Sequence, residues 1–457
     1  MSDTAVSSEN KMGTMPVNKL LITMSLPMIA SMLVQALYNI VDSIFVAQIG
    51  ENALTAVSLA FPIQSLMIAV AVGTCVGINA LLSRCLGEKR QNDANLTAIN
   101  GVFISFASYL IFAVIGLLGT GAFFRSQTSN PEVIKYGTEY LSICMIFSFG
   151  LFMEMTLERI MQSTGRTIYS MVTQGIGAII NIVLDPIMIF GLFGFPKLGI
   201  RGAAIATVTG QIIAMILAYS MNREKNPDVL ISFKHFRPNL PIIKKIYEVG
   251  IPSIVMQSII SVMTLGMNTI LLMFSETAVS VLGIYFKLQS FVFMPIFGLN
   301  NGMIPIVAYN YGAQNKKRII DTIKLSAAIA IGIMFIGLII FQVFPVGLFK
   351  MFNASDHMLE VGIPALRIIS TGFMLAGYCI IISSVFQAMG NGMYSLITAV
   401  ARQLVCILPL AYLFAKYLGL YAVWYAFPMA ELICVIITTY LFRKIYINKI
   451  KPLGMED

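Results

Sequence analysis

Charged residues are scarce: Asp, Glu, Lys and Arg together make up 11% of the 457 residues, against roughly 25% in soluble proteins. So little charge cannot cover a water-facing surface, which excludes an ordinary soluble domain. Histidine is rarer still. His235 and His357 lie in or near polar connections, so there is no metal-spaced histidine motif. There is also no Gly-rich phosphate loop ending in Lys and Ser or Thr, and no helical acid cluster for a magnesium pyrophosphate. These absences leave an integral-membrane enzyme without a reactive constellation. The cysteines Cys75, Cys85, Cys144, Cys379, Cys406 and Cys434 fall within or at the ends of apolar stretches without paired-ligand spacing. They read as buried small side chains rather than disulfides or metal ligands. The first 16 residues are polar and acidic rather than a basic leader with a cleavage site, so no signal peptide is expected.

Apolar residues fill that space, at 58% of the chain. Stretches of roughly 20 to 30 residues recur about twelve times, each long enough to cross a hydrocarbon core about 30 Å thick. They cover 17–47, 53–83, 95–121, 132–163, 168–191 and 201–222, then 243–274, 278–308, 319–348, 357–388, 394–416 and 421–442. All are expected to be helices, because backbone in lipid must satisfy its own hydrogen bonds. Displaced by 225 positions, the chain falls on itself without a gap. Pro27 meets Pro252, Glu51 meets Glu276, Gly73 and Gly77 meet Gly298 and Gly302, and Gln162, Gly165 and Tyr169 meet Gln387, Gly390 and Tyr394. An internal repeat in so apolar a chain is a mark of secondary transporters, whose halves rock about a central site.

The expected fold is therefore all-α and integral to the membrane. Twelve transmembrane helices form two six-helix bundles related by a pseudo-twofold axis along the membrane normal, since an even number of spans per half keeps both repeats in one direction. The divisions are an N-terminal tail 1–16, an N-lobe 17–222, a polar linker 223–242, a C-lobe 243–442 and a C-terminal tail 443–457. Lys and Arg concentrate on the side of the N-terminus, among them Arg84, Lys89, Arg90, Arg223, Lys225, Lys244, Lys316, Lys317, Arg443 and Lys444. Both termini are then expected in the cytoplasm. The net charge of +9 is explained by this distribution, with no nucleic-acid partner.

Polar residues inside spans carry the functional information, because a charge near the bilayer centre costs about 2.5 to 3.5 kcal/mol. Gln35, Tyr38 and Asp42, with Asn39 beside them, form one polar stripe on the first span, facing a cavity or another helix. In the fifth span Asn181 and Asp185 share a face, and Pro186 leaves the carbonyl of Ile182 without its helical donor. Two carboxylates, an amide and a free carbonyl suit a small cation or a proton relay. Sodium wants several oxygen ligands, and a proton wants a carboxylate beside a like charge in a desolvated place; the pattern permits both. The alternative is that Asp42 and Asp185 only tie helices together.

Glu154 and Glu158 form an i, i+4 pair on span four. Glu154 is either an anionic contact for a cationic substrate or a partner of Arg159 or water; Glu158, beside Arg159, reads as paired. The second half reverses the polarity, with Lys287, Arg367 and Arg402 inside spans and Glu431 as the deep acid, read as a structural partner of Arg402 or Lys287. Any cation site is therefore placed in the first half, where Asp42 and Asp185 stand opposite Met267 and Leu410 of the second. Pro27 and Pro252, in equivalent first helices, are candidate hinges or fixed kinks.

The run Asn181-Ile182-Val183-Leu184-Asp185-Pro186, the following Gly199-Ile200-Arg201-Gly202 segment through Thr207, and the span-one pattern from Pro27 through Gln35, Tyr38 and Asp42 resemble the multidrug and toxic compound extrusion (MATE) family. The turns Gln162–Gly165 and Gln387–Gly390 match as well, and the resemblance covers essentially the whole chain. It implies a monomeric drug antiporter that alternates between outward and inward openings and needs no cofactor. Such an antiporter exports organic cations against inward H+ or Na+. It also implies a cation-coupling set of Asp42, Asn181, Asp185 and Thr207, with Tyr140 near by, and it leaves Gln35, Tyr38, Asn39 and Glu154 for substrate. The second-lobe sodium acids of some relatives are missing here, where Ser261, Asn268 and Arg367 stand, so no metal is expected beyond Na+ at the first-lobe site. The competing readings are a lipid-linked oligosaccharide flippase of the same superfamily, kept open by Lys287, Arg367 and Arg402, and a channel.

Overall fold

The computed structural model describes residues 10–234, 236–352 and 354–454, and among them there are helices and no strands. His235 lies outside the described residues, as do 1–9 of the N-terminal tail and 455–457 of the C-terminal one. The helices are α1 (Lys11–Thr14), α2 (Val17–Ala47), α3 (Glu51–Gly87), α4 (Gln91–Leu118), α5 (Thr120–Gln127), α6 (Pro131–Ile146), α7 (Phe149–Ser163), α8 (Thr167–Phe190) and α9 (Ile200–Lys225). The second half adds α10 (Leu240–Leu272), α11 (Glu276–Gly312), α12 (Lys316–Val343), α13 (Pro345–Lys350), α14 (Asp356–Ser370), α15 (Phe373–Ala388), α16 (Gly392–Tyr417) and α17 (Leu420–Ile450). Ten of these are long and apolar enough to cross a membrane, or twelve spans if each of two bent pairs is one.

Local sequence sets the helix starts. Asn130 accepts from the backbone N–H of Glu132 and Val133 ahead of Pro131 at the first turn of α6, Ser275 accepts from Ala278 at the start of α11, and Ser355 accepts from Met358 at the start of α14. Each satisfies donors the helix itself leaves open. The left-handed Gly191 (φ 75°) closes α8.

Two expected continuous spans are broken. α6 and α7 meet at 44° and α14 and α15 at 50°, at positions 224 residues apart, one short of the repeat offset, and without a proline at either break. The short helices α5 and α13, which the apolar stretches 95–121 and 319–348 reach only in part, are also repeated. Phe124 of α5 is fully buried against Gly137 of α6, and Phe349 of α13 against Gly362 of α14. A side chain on either glycine has no room beside the ring. Phe124→Ala is expected to lower stability by about 3–5 kcal/mol, read as an earlier unfolding midpoint of the detergent-solubilised protein. Gly121→Ala on the same helix, with nothing within 4 Å of its added carbon, should leave the midpoint in place.

By internal packing the chain divides into two units, one of Met1–Ile29, Ser83–Arg90 and Val255–Asp457, the other of Ala30–Leu82 and Gln91–Ile254. The divisions cut through α2, α3 and α10. In the second unit Gly73 and Gly77 of α3 lie against Ile254 and Ile246 of α10; in the first, Gly298 and Gly302 of α11 lie against Ile29 and Ser25 of α2. The cut in α2 falls two residues past Pro27, and the cut in α10 two residues past Pro252.

The polar segments are tied down. Asp228 in the linker pairs with Arg166 at 3.0 Å. Asn95 and Asn100 of α4 accept from the backbone of Leu230 and Asn239, each at 2.9 Å. At the other end, Met12 of α1 is buried, and Arg318 donates to the carbonyls of Met12 at 2.9 Å and Met15 at 2.7 Å. The last residues of the expected tail are thus docked.

Candidate functional site

Five helices of the second unit, α2, α3, α6, α8 and α9, bring one polar cluster together. Asp185, on α8, is fully buried, and Asn181 one turn earlier is 2% exposed. The amide orientation that satisfies both ends of Asn181 has its nitrogen donating to Asp185 Oδ2 at 2.9 Å, while its oxygen accepts from the Thr207 backbone N–H at 2.9 Å and the Thr207 hydroxyl at 3.1 Å. α8 and α9 are thereby stitched at the motif. Asp42 of α2 turns its carboxyl toward that of Asp185. Oδ1 of Asp42 and Oδ1 of Asp185 are both buried, and no described residue donates to either.

An ionised carboxylate only accepts. Two carboxyl groups that face each other with no donor between them therefore need a proton or a cation to be compatible. That requirement is the chemistry of the site.

Tyr140 of α6 is buried and hydrogen-bonds Gln64 of α3 at 3.4 Å, and Cys144 lies one turn further along α6, within reach of the Tyr140 hydroxyl. The five residues expected to couple the cation, Asp42, Tyr140, Asn181, Asp185 and Thr207, thus occupy one neighbourhood. Tyr38, expected at the substrate, joins the same group, with Thr207, Asp42 and Asp185 as its neighbours. Gln64 falls on Gln289 at the 225-residue offset and carries no other signal in the sequence. Gln35 and Asn39 are exposed and lie outside the hydrogen-bonded cluster.

Glu154 on α7 is half-buried and lies against Gly177 of α8. Glu158 is buried and accepts from the Thr173 hydroxyl at 2.7 Å. In the C-terminal half, Arg402 donates to Glu431 at 3.3 Å, the ion pair the sequence suggested. The expectation of several interior bases there is corrected. Lys287 and Arg367 are exposed, Lys287 stacking its ammonium over Phe352 at 5.8 Å from the ring centre, because helical position fixes depth along a span but not the face. All six cysteines are free and buried. His357 is exposed at the start of α14, 3.7 Å from Glu360.

With the fold and cluster in place, the chain can be set beside known proteins. The MatE family profile matches residues 27–187 and 252–413, one block in each repeat. The chain belongs to this family. Its members are transporters rather than enzymes, and this chain is a multi-pass membrane protein. The chain is 28% identical to the multidrug export protein MepA of Staphylococcus haemolyticus, across 93% of this chain and 92% of that one. A solved structure of MATE in complex with MaL6 superposes with a TM-score of 0.90 at 26% identity, covering 98% of this chain and 99% of that one. The outward-facing conformation of a multidrug resistance MATE family transporter matches with the same score, identity and coverage.

Proposed function

We propose that this chain is a secondary efflux antiporter that exports amphipathic organic cations and xenobiotics in exchange for protons. The observation that supports it best is the pair of facing carboxyl groups, Asp42 and Asp185, each with a buried oxygen that no described residue satisfies. The staphylococcal relatives are named multidrug export proteins, which supports drugs as the cargo; the preference for cations is part of the proposal and rests on the carboxylate of Glu154. In this reading a proton shared by the two carboxyls holds α2 against α8. Its loss leaves two like charges in a desolvated place, and α2 yields at Pro27 while α10 yields at Pro252. The Asn181–Thr207 contact keeps α8 and α9 fixed while α2 moves. Glu154, Gln35, Asn39 and the ring of Tyr38 are proposed to meet the substrate, with Glu154 supplying negative charge. Both termini lie in the cytoplasm, from the placement of Lys and Arg, and the transporter works as a monomer without a cofactor.

The C-terminal half gives a lipid-linked oligosaccharide flippase little support. Arg402 is taken by Glu431, and Lys287 and Arg367 are exposed rather than gathered with it in the interior. Proteoliposomes under separately imposed pH and sodium gradients discriminate the couplings. Efflux of a cationic dye driven by the pH gradient at zero sodium is the expected result. Drive by sodium alone would replace the proton with sodium, and drive by neither would overturn antiport.

A further inference from the structure

The interior of the C-terminal half holds a second cluster that the coupling mechanism does not use. Cys379 projects from α15, and Glu431 and Cys434, three residues apart on α17, project from one face of that helix. The two sulfurs and a Glu431 oxygen all lie within 4.8 Å of one another. Both cysteines are buried, at 4% and 2% exposure. Arg402 holds Glu431 through Oε1, whereas Oε2 is buried and no described residue donates to it. Arg402 itself stands on the π-helical segment Ala401–Ile407, where the extra residue per turn redirects the side chains of α16; such segments recur at functional sites. At the 225-residue offset Cys379 stands where the first half has Glu154, and Arg402 where it has Gly177. The same interior position of the repeat is polar in both halves but carries different chemistry.

We propose that Cys379, Glu431 and Cys434 form a binding site for a thiophilic divalent cation of the zinc and cadmium class, with Arg402 orienting the carboxylate. Two sulfurs and one carboxylate oxygen are a suitable donor set for such an ion, which keeps a fourth position for water. Tetrahedral bonds to sulfur of about 2.3 Å put neighbouring ligands roughly 3.8 Å apart, so the present spacing requires them to close by about 1 Å or less. Arg402 fills the place that a hydrogen-bond donor to a ligating carboxylate usually takes.

Charge balance supports the assignment. Before binding, the two thiols are neutral, and Glu431 and Arg402 cancel. Binding of one M2+ releases the two thiol protons, forms two metal–thiolate bonds and one metal–carboxylate bond, and again leaves the cluster neutral. The exchange of M2+ for 2 H+ therefore avoids placing net charge in the bilayer interior, where it is costly. A bound ion cross-links α15 to α17.

The test uses the purified, reduced full-length protein in detergent, titrated with Cd2+ while thiolate-to-cadmium absorption in the near ultraviolet and proton release in weak buffer are followed. The expected result is one Cd2+ per chain with two protons released, abolished in Cys379→Ser and in Cys434→Ser and unchanged in Cys85→Ser. Glu431→Gln, which removes a ligand and its charge, should weaken binding by at least the roughly 10- to 100-fold that loss of an outer-shell partner costs. The wild-type absorption and proton count stand even if a serine variant fails to fold. Absence of thiolate absorption in the wild type, or absorption equal to the wild type in both serine variants, would overturn the site.

Discussion

An Asp185→Asn transporter is expected to fold and to carry substrate down its gradient, yet to lose accumulation driven by a pH gradient. The substitution keeps the shape of the side chain and an oxygen that accepts from Asn181, so the contact between α8 and α9 survives. What disappears is the second titratable oxygen pair facing Asp42. One pH unit is worth about 1.4 kcal/mol per proton, or roughly tenfold in the concentration ratio an exchanger of one proton sustains. The wild type should therefore hold about a tenfold substrate gradient per pH unit for each proton exchanged, and Asp185→Asn a ratio near one. Asp42→Asn should behave alike. Glu158→Gln should keep the coupling, because Glu158 already has its Thr173 donor at 2.7 Å and stands apart from the pair. The measurement is the steady-state distribution of a cationic dye in proteoliposomes at two values of imposed pH difference. Full coupling in both Asp variants would remove the pair from the mechanism.

The second large effect concerns helix approach. A Cβ at Gly77 would meet the carbonyl oxygen of Ile246, and one at Gly302 would meet the backbone of Ser25. Backbone blocks the way at both places, at Gly302 just behind the Ser25 hydroxyl, so α3 and α10, or α11 and α2, must separate. Gly77→Val is expected to destabilise by at least the roughly 1–3 kcal/mol of an overpacked core, and the effect should recur in Gly302→Val at the equivalent place. Thermal unfolding of the detergent-solubilised protein, followed by loss of the monodisperse peak, reads it. Gly283→Ala and Gly332→Ala, with nothing within 4 Å, are the controls. Midpoints equal to the wild type in both valine variants would mean that these helices are not held at this separation.

Much of this was legible in the residues. Twelve apolar stretches placed the membrane-crossing segments, most to within a few positions, although the last helix runs on from 442 to Ile450, because length and hydropathy decide what can cross a bilayer. Asp42, Asn181 and Asp185 stood out because carboxylates on greasy helices need a reason. Thr207 and Tyr140 entered only through the family resemblance, since a lone hydroxyl inside a span costs little and carries no signal of its own. That Tyr38 neighbours Thr207 has no mark in the sequence, because a stripe fixes the face of a helix and not what that face meets.

The breaks between α6 and α7 and between α14 and α15 have no proline to announce them, and they became visible only as a repeated feature of the backbone. Lys287 and Arg367 were read as interior bases because their position along a span gives depth while the side of the helix is set by packing. The division of α2 and α10 near Pro27 and Pro252 was hidden for a similar reason: the repeat preserves where a helix starts, not which neighbours each half of it chooses. The cluster of Cys379, Glu431 and Cys434 has no ligand spacing in sequence because its donors come from two helices.

Proton release on substrate binding tests the coupling site most directly. In weakly buffered detergent solution, addition of a saturating cationic substrate to the wild type should release protons from the Asp42–Asp185 pair, and both Asp42→Asn and Asp185→Asn should bind the same substrate with that release abolished. Equal proton release from the wild type and both variants would contradict the assignment of the coupling proton to this pair.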